Sequence, residues 1–403
     1  MGLDRVEIRP GGGPERVANH HESDGHERYF VTSGHRDRTR AVQVGSVRIG
    51  GGAPVSVQTM TKTDTRDAAA TIAQIEEIAG VGGEIVRVAV PDHSAAAALR
   101  QICQASPIPV IADIHFNYLL ALEALEAGIH GLRLNPGNIG GRERVAEVAG
   151  AAKRAGVPIR IGVNAGSLER DLLEAHGGPT PEAMVESALR HLDILTEADF
   201  HDVKVSLKAS NVPLTIAAYR LMAGRSEVPL HLGITEAGTA ASGAIKSAVG
   251  LGILLGEGIG DTIRVSLAAN PTEEILVGFK ILRSLDLRPP GVNVIACPSC
   301  GRTRVDVERL AAAVERRLGG LRSAVNVAVM GCAVNGPGEA AEADLGFAAG
   351  GRGGLLYRNG KVVGRIEGTE EEIANILATE AEAWILGQSN RAADDTENAG
   401  TTD

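Results

Sequence analysis

Eight short runs rich in aliphatic and β-branched residues recur between Val42 and Leu285, at 55–60, 85–90, 109–114, 131–135, 159–164, 203–208, 230–235 and 262–267. A longer stretch with apolar residues at helical spacing follows each, as at 67–79, 142–155 and 181–196. Eight strand–helix units in about 245 residues predict an α/β fold, a (β/α)8 TIM-type barrel over 38–286. A doubly wound open sheet is the alternative that the same alternation allows.

Side chains alternate across a strand, so each run has two faces. One face is apolar, as in Leu132/Leu134, Ile159/Ile161/Val163, Val203/Val205/Leu207 and Ile263/Val265/Leu267, and suits packing under helices. The other carries Arg87, Asp113 with His115, Arg133 with Asn135, Arg160 with Asn164, Lys204 with Ser206 and Lys208, His231 with Thr235, and Arg264 with Ser266. These groups converge on the barrel interior or its mouth. A dry core does not accommodate so many cations, because burying an unpaired ion costs several kcal/mol. Charge-assisted hydrogen bonds of about 1.5–3 kcal/mol each to a phosphate or diphosphate would offset that cost. The competing arrangement is a structural lattice in which Asp113 and neighbouring acids neutralise the cations. The loops 133–138 and 233–243 lie at the strand ends where such barrels bind ligands.

A net charge of −10 and 2% aromatic residues argue against nucleic-acid binding, so an anion must be held locally. No apolar run is long enough for a membrane span, and the N-terminus has no secretory core, which predicts a cytoplasmic protein. Residues 1–37 read as a disordered extension in which His20, His21, His26 and His35 are solvated, with metal binding as the alternative. Residues 388–403 read as a second disordered tail.

The run 287–293, with two prolines and a glycine, marks a linker over 287–292 and a smaller α+β domain over 293–387. That domain carries Cys297 and Cys300 in IACPSCGRT and Cys332 in MGCAVNGPGE, while Cys103 belongs to a helical run and reads as core. Three thiolates with Glu339 as an oxygen donor suit zinc or an iron-sulfur cluster. The domain contains no histidine, which disfavours structural zinc. In a 4Fe-4S cluster, three cysteines leave one iron for Glu339, water or substrate.

The motifs ADIHFNY, RLNPGNIG, IRIGVNAGSLE, VKVSLKAS, LHLGITEAG, GEGIGDTIRVSL, IACPSCGRT and MGCAVNGPGEA resemble, in that order, the hydroxymethylbutenyl diphosphate synthase family of the non-mevalonate isoprenoid pathway, in its bacterial two-domain form. The resemblance runs from Val42 to Leu386. It implies an oxidoreductase that reductively opens 2-C-methyl-D-erythritol 2,4-cyclodiphosphate to 4-hydroxy-3-methylbut-2-enyl diphosphate and releases water. It also implies a 4Fe-4S cluster on Cys297, Cys300 and Cys332 with Glu339 at the exchangeable apical iron, and electrons from flavodoxin or ferredoxin. Head-to-tail homodimers, in which each cluster domain covers the partner's barrel, are the family's arrangement. The expected substrate ligands are Arg87, Arg133, Arg160 and Lys208, followed by Asn164, Lys204, His231, Ser266 and Asn335. Glu236 is the expected proton donor, with a loop-stabilising role as its alternative.

Overall fold

The computed structural model describes residues 34–289, 291–318, 324–351 and 353–399. A short helix α1 (His35–Arg38) precedes an antiparallel hairpin of β1 (Val42–Val44) and β2 (Val47–Ile49). Next come β3 (Ser56–Met60), α2 (Ala68–Gly80), β4 (Ile85–Ala89), α3 (His93–Ala105), β5 (Val110–Asp113), α4 (Tyr118–Ala127), β6 (Gly131–Leu134) and α5 (Arg142–Ala155). The barrel is completed by β7 (Ile159–Asn164), α6 (Arg170–His176), α7 (Pro181–Glu197), β8 (Val203–Lys208), α8 (Val212–Ala223), β9 (His231–Leu232), α9 (Ala240–Gly256), β10 (Thr262–Ile263) and α10 (Pro271–Arg283).

These eight strands form one parallel sheet in the order β8-β7-β6-β5-β4-β3-β10-β9. A parallel bridge between Val205 and Leu230 joins β8 to β9 and closes the barrel, which excludes the open sheet. All eight expected strands are present, but β9 and β10 pair over two residues each rather than six. Beyond Leu232, Gly233 yields its face to Lys208, whose Nζ lies 2.8 Å from the place a Cβ would take.

The outward faces pack as expected. Val57 meets Gly278 of α10, where a Cβ would come within 2.7 Å of its Cγ1, and the buried aliphatic residues of strands and helices form one continuous layer. At the barrel floor, Val42, Val44 and Ile49 of the hairpin pack on Ile85 and Ile111 as an apolar plug.

Two boundaries differ from expectation. His35 is buried rather than solvated, with Nε2 2.7 Å from the Ser226 carbonyl, and the Arg36 N–H donates to Gly258 O. The barrel as described therefore takes in Gly34, where a Cβ would strike Gly258; the remaining extension, 1–33, lies outside the described residues. At the other end, helix α13 (Glu370–Ala399) continues through most of the stretch expected to be a tail. Gly387 interrupts helix propensity by only about 1 kcal/mol, and no proline follows it.

The second domain contains β11 (Val292–Ala296), α11 (Val307–Leu318), β12 (Val325–Met330), α12 (Gly336–Ala341), β13 (Leu345–Ala349), β14 (Gly354–Arg358), β15 (Lys361–Ile366) and α13. Its strands follow the order β11-β12-β13-β14-β15; the first three are parallel and the last two antiparallel additions. Helices α11 and α13 cover one face and α12 the other. The hairpin expected at 358–360 is present, with Asn359 at φ 48° and Gly360 at φ 74°, the left-handed pair of a type I′ turn.

The linker leaves from the barrel floor. There Arg288 pairs with Glu84 and lies 5.4 Å over the Phe279 ring, while Lys280 of α10 reaches Glu315 of α11 at 3.4 Å. Among the described residues, no helix is long and apolar enough to cross a membrane.

Candidate active site

Strand alternation and register bring the expected cations together inside the barrel. Arg133 of β6 stands beside Asp113 of β5 and Arg160 of β7, and Arg160 stands beside Lys204 of β8. Arg133 Nη1 donates to Asp113 Oδ1 at 3.1 Å and Nη2 to the Gly162 carbonyl at 3.1 Å. The missing side chain of Gly162 makes that reach sterically feasible, because a Cβ would sit 2.5 Å from Arg133 Nε. Arg87 approaches the other Asp113 oxygen at 3.5 Å. Burial alone would raise the Asp113 pKa, but Arg87 and Arg133 outweigh it, so the carboxyl titrates below its ordinary range.

Neutralisation stops there. Arg264 pairs with Glu274 at 3.3 Å, but among the described residues Arg160, Lys204 and Lys208 have no carboxylate within ion-pair distance. Arg160 donates to Ser206 Oγ at 2.6 Å and leaves Nε and Nη2 without partners. The lattice arrangement thus accounts for Arg87, Arg133 and Arg264 only. Burial and neighbouring cations push Arg160, Lys208 and His231 well below their ordinary pKa values, and push Lys204 down to about 7. Such a group of buried cations is stabilised by an anion.

Asn164 is the register partner of Lys208, and both it and Ser266 are half-buried at the strand ends. Glu236 is exposed at the mouth with φ 51°, a left-handed conformation that is uncommon for a residue with a side chain. Asn335 and Glu339 belong to the second domain and do not join the barrel residues within the chain.

In the second domain the cysteines lie on two loops at the ends of adjacent parallel strands, β11 and β12. Gly331 N–H donates to Cys297 Sγ at 3.3 Å, and Arg304 N–H donates to Gly331 O at 2.8 Å, which ties the loops together. Backbone N–H groups of Asn335, Val334 and Gly336 point at Cys332 sulfur and lower its pKa, favouring thiolate. Cys300 is exposed between them, after Ser299 at φ 62°. Glu339 is exposed on α12, with no side-chain hydrogen bond or ion pair among the described residues. Among those residues, no three of His, Cys, Asp or Glu surround one point closely enough for a single metal ion. A cluster makes no such demand, because it offers each thiolate its own iron.

Two family models match in sequence order: the GcpE TIM-barrel domain over residues 39–279 and the GcpE protein C-terminal domain over residues 293–383. The chain belongs to the GcpE family. Among its GcpE relatives, the 4-hydroxy-3-methylbut-2-en-1-yl diphosphate synthase (flavodoxin) of Geobacter sulfurreducens is 60% identical over 346 residues, covering 86% of this chain and 97% of the relative. The proteins of the same name from Acidithiobacillus ferrooxidans and Magnetococcus marinus are 55% and 54% identical, over 87% and 89% of this chain and 95% of each relative. The interval between the two GcpE matches, 280–292, contains the end of α10 and the linker.

Two polar groups of the GcpE barrel are absent from the expected site. Glu274, in the first turn of α10, accepts from Thr59 Oγ1 at 2.6 Å and from Leu267 N–H at 3.0 Å besides pairing with Arg264. Nothing local in the sequence marks it. Gln58 is fully buried, on the same inward face as Met60, and its strand alternation was the available signal.

Proposed function

We propose that this GcpE family member opens 2-C-methyl-D-erythritol 2,4-cyclodiphosphate by two-electron reduction and dehydration to 4-hydroxy-3-methylbut-2-en-1-yl diphosphate. The observation that carries this reading is the buried group Arg160, Lys204 and Lys208, which has no carboxylate partners among the described residues and lies beside Arg133 and Arg87. A diphosphate supplies the missing anionic oxygens, and Arg133, already oriented by Asp113 and Gly162 O, is positioned to donate to them. Asn164, Ser266 and His231 complete the polar lining. Glu236, exposed with a left-handed backbone, would give a proton to the departing oxygen.

The donor set of the second domain fits a 4Fe-4S cluster: sulfur ligands on two tied loops, backbone N–H groups aimed at Cys297 and Cys332 sulfurs, and no histidine. Cys297, Cys300 and Cys332 would hold it, with Glu339 as the exchangeable fourth ligand. When bound, the cluster supplies one-electron transfer and Lewis acidity. Reduced flavodoxin is the proposed donor, as the relatives' names include it. The free cysteines suit a reducing cytoplasm.

The linker supports a head-to-tail homodimer. It departs from the barrel floor, held there by Arg288–Glu84 and by the Phe279 ring, while the cation site opens at the opposite end. A partner's second domain reaches that mouth more readily than the chain's own, and would bring Asn335 and Glu339 to the substrate. Anaerobic turnover of the cyclic diphosphate with flavodoxin, followed by product identification, tests the activity. An iron- and sulfide-replete preparation that leaves the compound unchanged would rule it out.

A further inference from the structure

Inside the barrel, from the diphosphate cradle down toward the floor, a line of buried polar atoms has no hydrogen-bond partner. It comprises Ser56 Oγ, both amide atoms of Gln58, both ring nitrogens of His231, Lys204 Nζ, and Arg160 Nε and Nη2. The register connects them. Thr262 pairs with Ser56 on one side and with His231 on the other, while Gln58 is the next inward residue along β3. Its neighbours Val57 and Thr59 face outward, onto Gly278 and Glu274 of α10. The Val205–Leu230 bridge sets Lys204 beside β9, and Arg160 is its partner on β7.

The lower end of this line lies just inside the floor, where Ser56 is 2% exposed. Ser56 lines an open cleft of about 480 Å³ at the barrel floor, together with Arg48, Gly51, Pro54, Glu84 and Arg288. The apolar plug of the β1–β2 hairpin packs on Ile85 of β4 and Ile111 of β5, whereas β3, β10 and β9 turn Ser56, Thr262 and His231 to one face. Buried polar groups in native proteins are satisfied by protein or by ordered water, and each such water typically makes about three hydrogen bonds.

We infer that Ser56 and Gln58 line a water-filled conduit that carries protons from the floor cleft to His231, Lys204 and Arg160 at the base of the diphosphate cradle while the mouth is covered. The inference rests on the proposed ring opening. In that reaction one ring C–O bond and one C–OH bond break and the two added electrons end in a new C=C bond. The departing hydroxide takes a proton to become water, and the freed phosphate oxygen takes another according to its own pKa. Closure of the mouth by a second domain excludes bulk solvent from that end. Protons consumed in each turnover then need another entrance, and the floor is the opposite end of the same lumen. Without a bound anion, burial and Arg160 hold Lys204 down to about 7, and an anion beside it favours the charged form; His231 from β9 and Lys208 from its own strand are the other titratable groups nearby.

Gln58→Leu and Gln58→Glu test the conduit through anaerobic steady-state turnover in H2O and D2O. The leucine variant breaks the water line without touching the cradle. Its kcat should fall by about ten-fold or more with a larger solvent isotope effect, while KM for the cyclic diphosphate stays within roughly two-fold. Gln58→Glu should recover most of kcat. A leucine variant with wild-type kcat and isotope effect overturns the conduit, as does a loss of kcat that follows a lowered Tm and is not restored by glutamate. An inactive wild type in the same series removes the activity and the conduit together; an active wild type beside an unimpaired Q58L removes the conduit alone.

Discussion

Arg133 lies across the bare backbone of Gly162, with Nε 2.5 Å from where a Cβ would stand and Nη2 donating to the glycine carbonyl at 3.1 Å. The guanidinium is thereby aimed across the barrel, and its other nitrogen is fixed by Asp113. Gly162→Ala should evict it. Gly162 does not have a positive φ, so the backbone tolerates alanine and the penalty falls on the arginine. Loss of one charge-assisted contact of about 1.5–3 kcal/mol corresponds to a KM for the cyclic diphosphate raised by roughly ten- to a hundred-fold. Steady-state kinetics and Tm check this; an unchanged KM would contradict the placement of Arg133 at the substrate.

Lys204 should make stability depend on pH in an unusual direction. Its folded pKa is lowered from 10.5 to about 7 by burial and Arg160. Between those values the unfolded chain binds a proton that the folded chain lacks, so folding stability contributed by this group rises as pH rises from about 7 toward 10.5. Thermal melts of wild type and Lys204→Met at pH 7 and pH 9 should show a larger gain for the wild type. Inorganic diphosphate, by favouring the charged lysine, should shrink that difference.

Replacing Cys297, Cys300 or Cys332 with alanine should strip iron and sulfide from anaerobically prepared protein, whereas Cys103→Ser should leave both in place. Cys103 is half-buried against the barrel helices, and burial pushes its thiol up to about 11, away from the thiolate a metal requires. Iron retained after loss of Cys332 would contradict its assignment as a ligand.

Glu339→Ala should lower kcat while the folded domain and its sulfur ligands persist, because the side chain makes no structural contact among the described residues. Iron analysis and near-UV circular dichroism separate this from collapse. Wild-type turnover would remove Glu339 from the mechanism.

The dimer arrangement is tested, with substrate well below the raised KM, by mixing two impaired variants, Arg133→Met in the barrel and Cys332→Ser in the second domain. If each site uses one chain's barrel and the other chain's thiolates, random re-association restores about a quarter of wild-type activity, because about half the dimers are mixed and each has one intact site. Sites built within single chains would restore none.

Much of this was legible beforehand. Arg133, Arg160, Lys204 and Lys208 stood out as polar residues at period two in apolar runs, and strand alternation admits only one reading of such a pattern: they share a face. The cysteines were legible by spacing. Glu274 was not, because its value lies in meeting Thr59 and Arg264 across a large sequence separation. The burial of His35 is not legible because its polar surroundings in sequence are not its surroundings in space, where its Nε2 meets Ser226 O. The continuation of α13 past Gly387 is not legible for the opposite reason, since a glycine ends a helix where the backbone turns left-handed, and Gly387 does not.

The sequence by itself determined the eight strand–helix units, the inward cations, the three thiolates and the family, since each depends on local periodicity or on a contiguous motif. Tertiary structure alone decided which cations are neutralised and which stay without carboxylate partners. Ion pairing falls off within a few ångströms, and only barrel closure sets Arg87 and Arg133 against Asp113 while leaving Arg160, Lys204 and Lys208 facing one another.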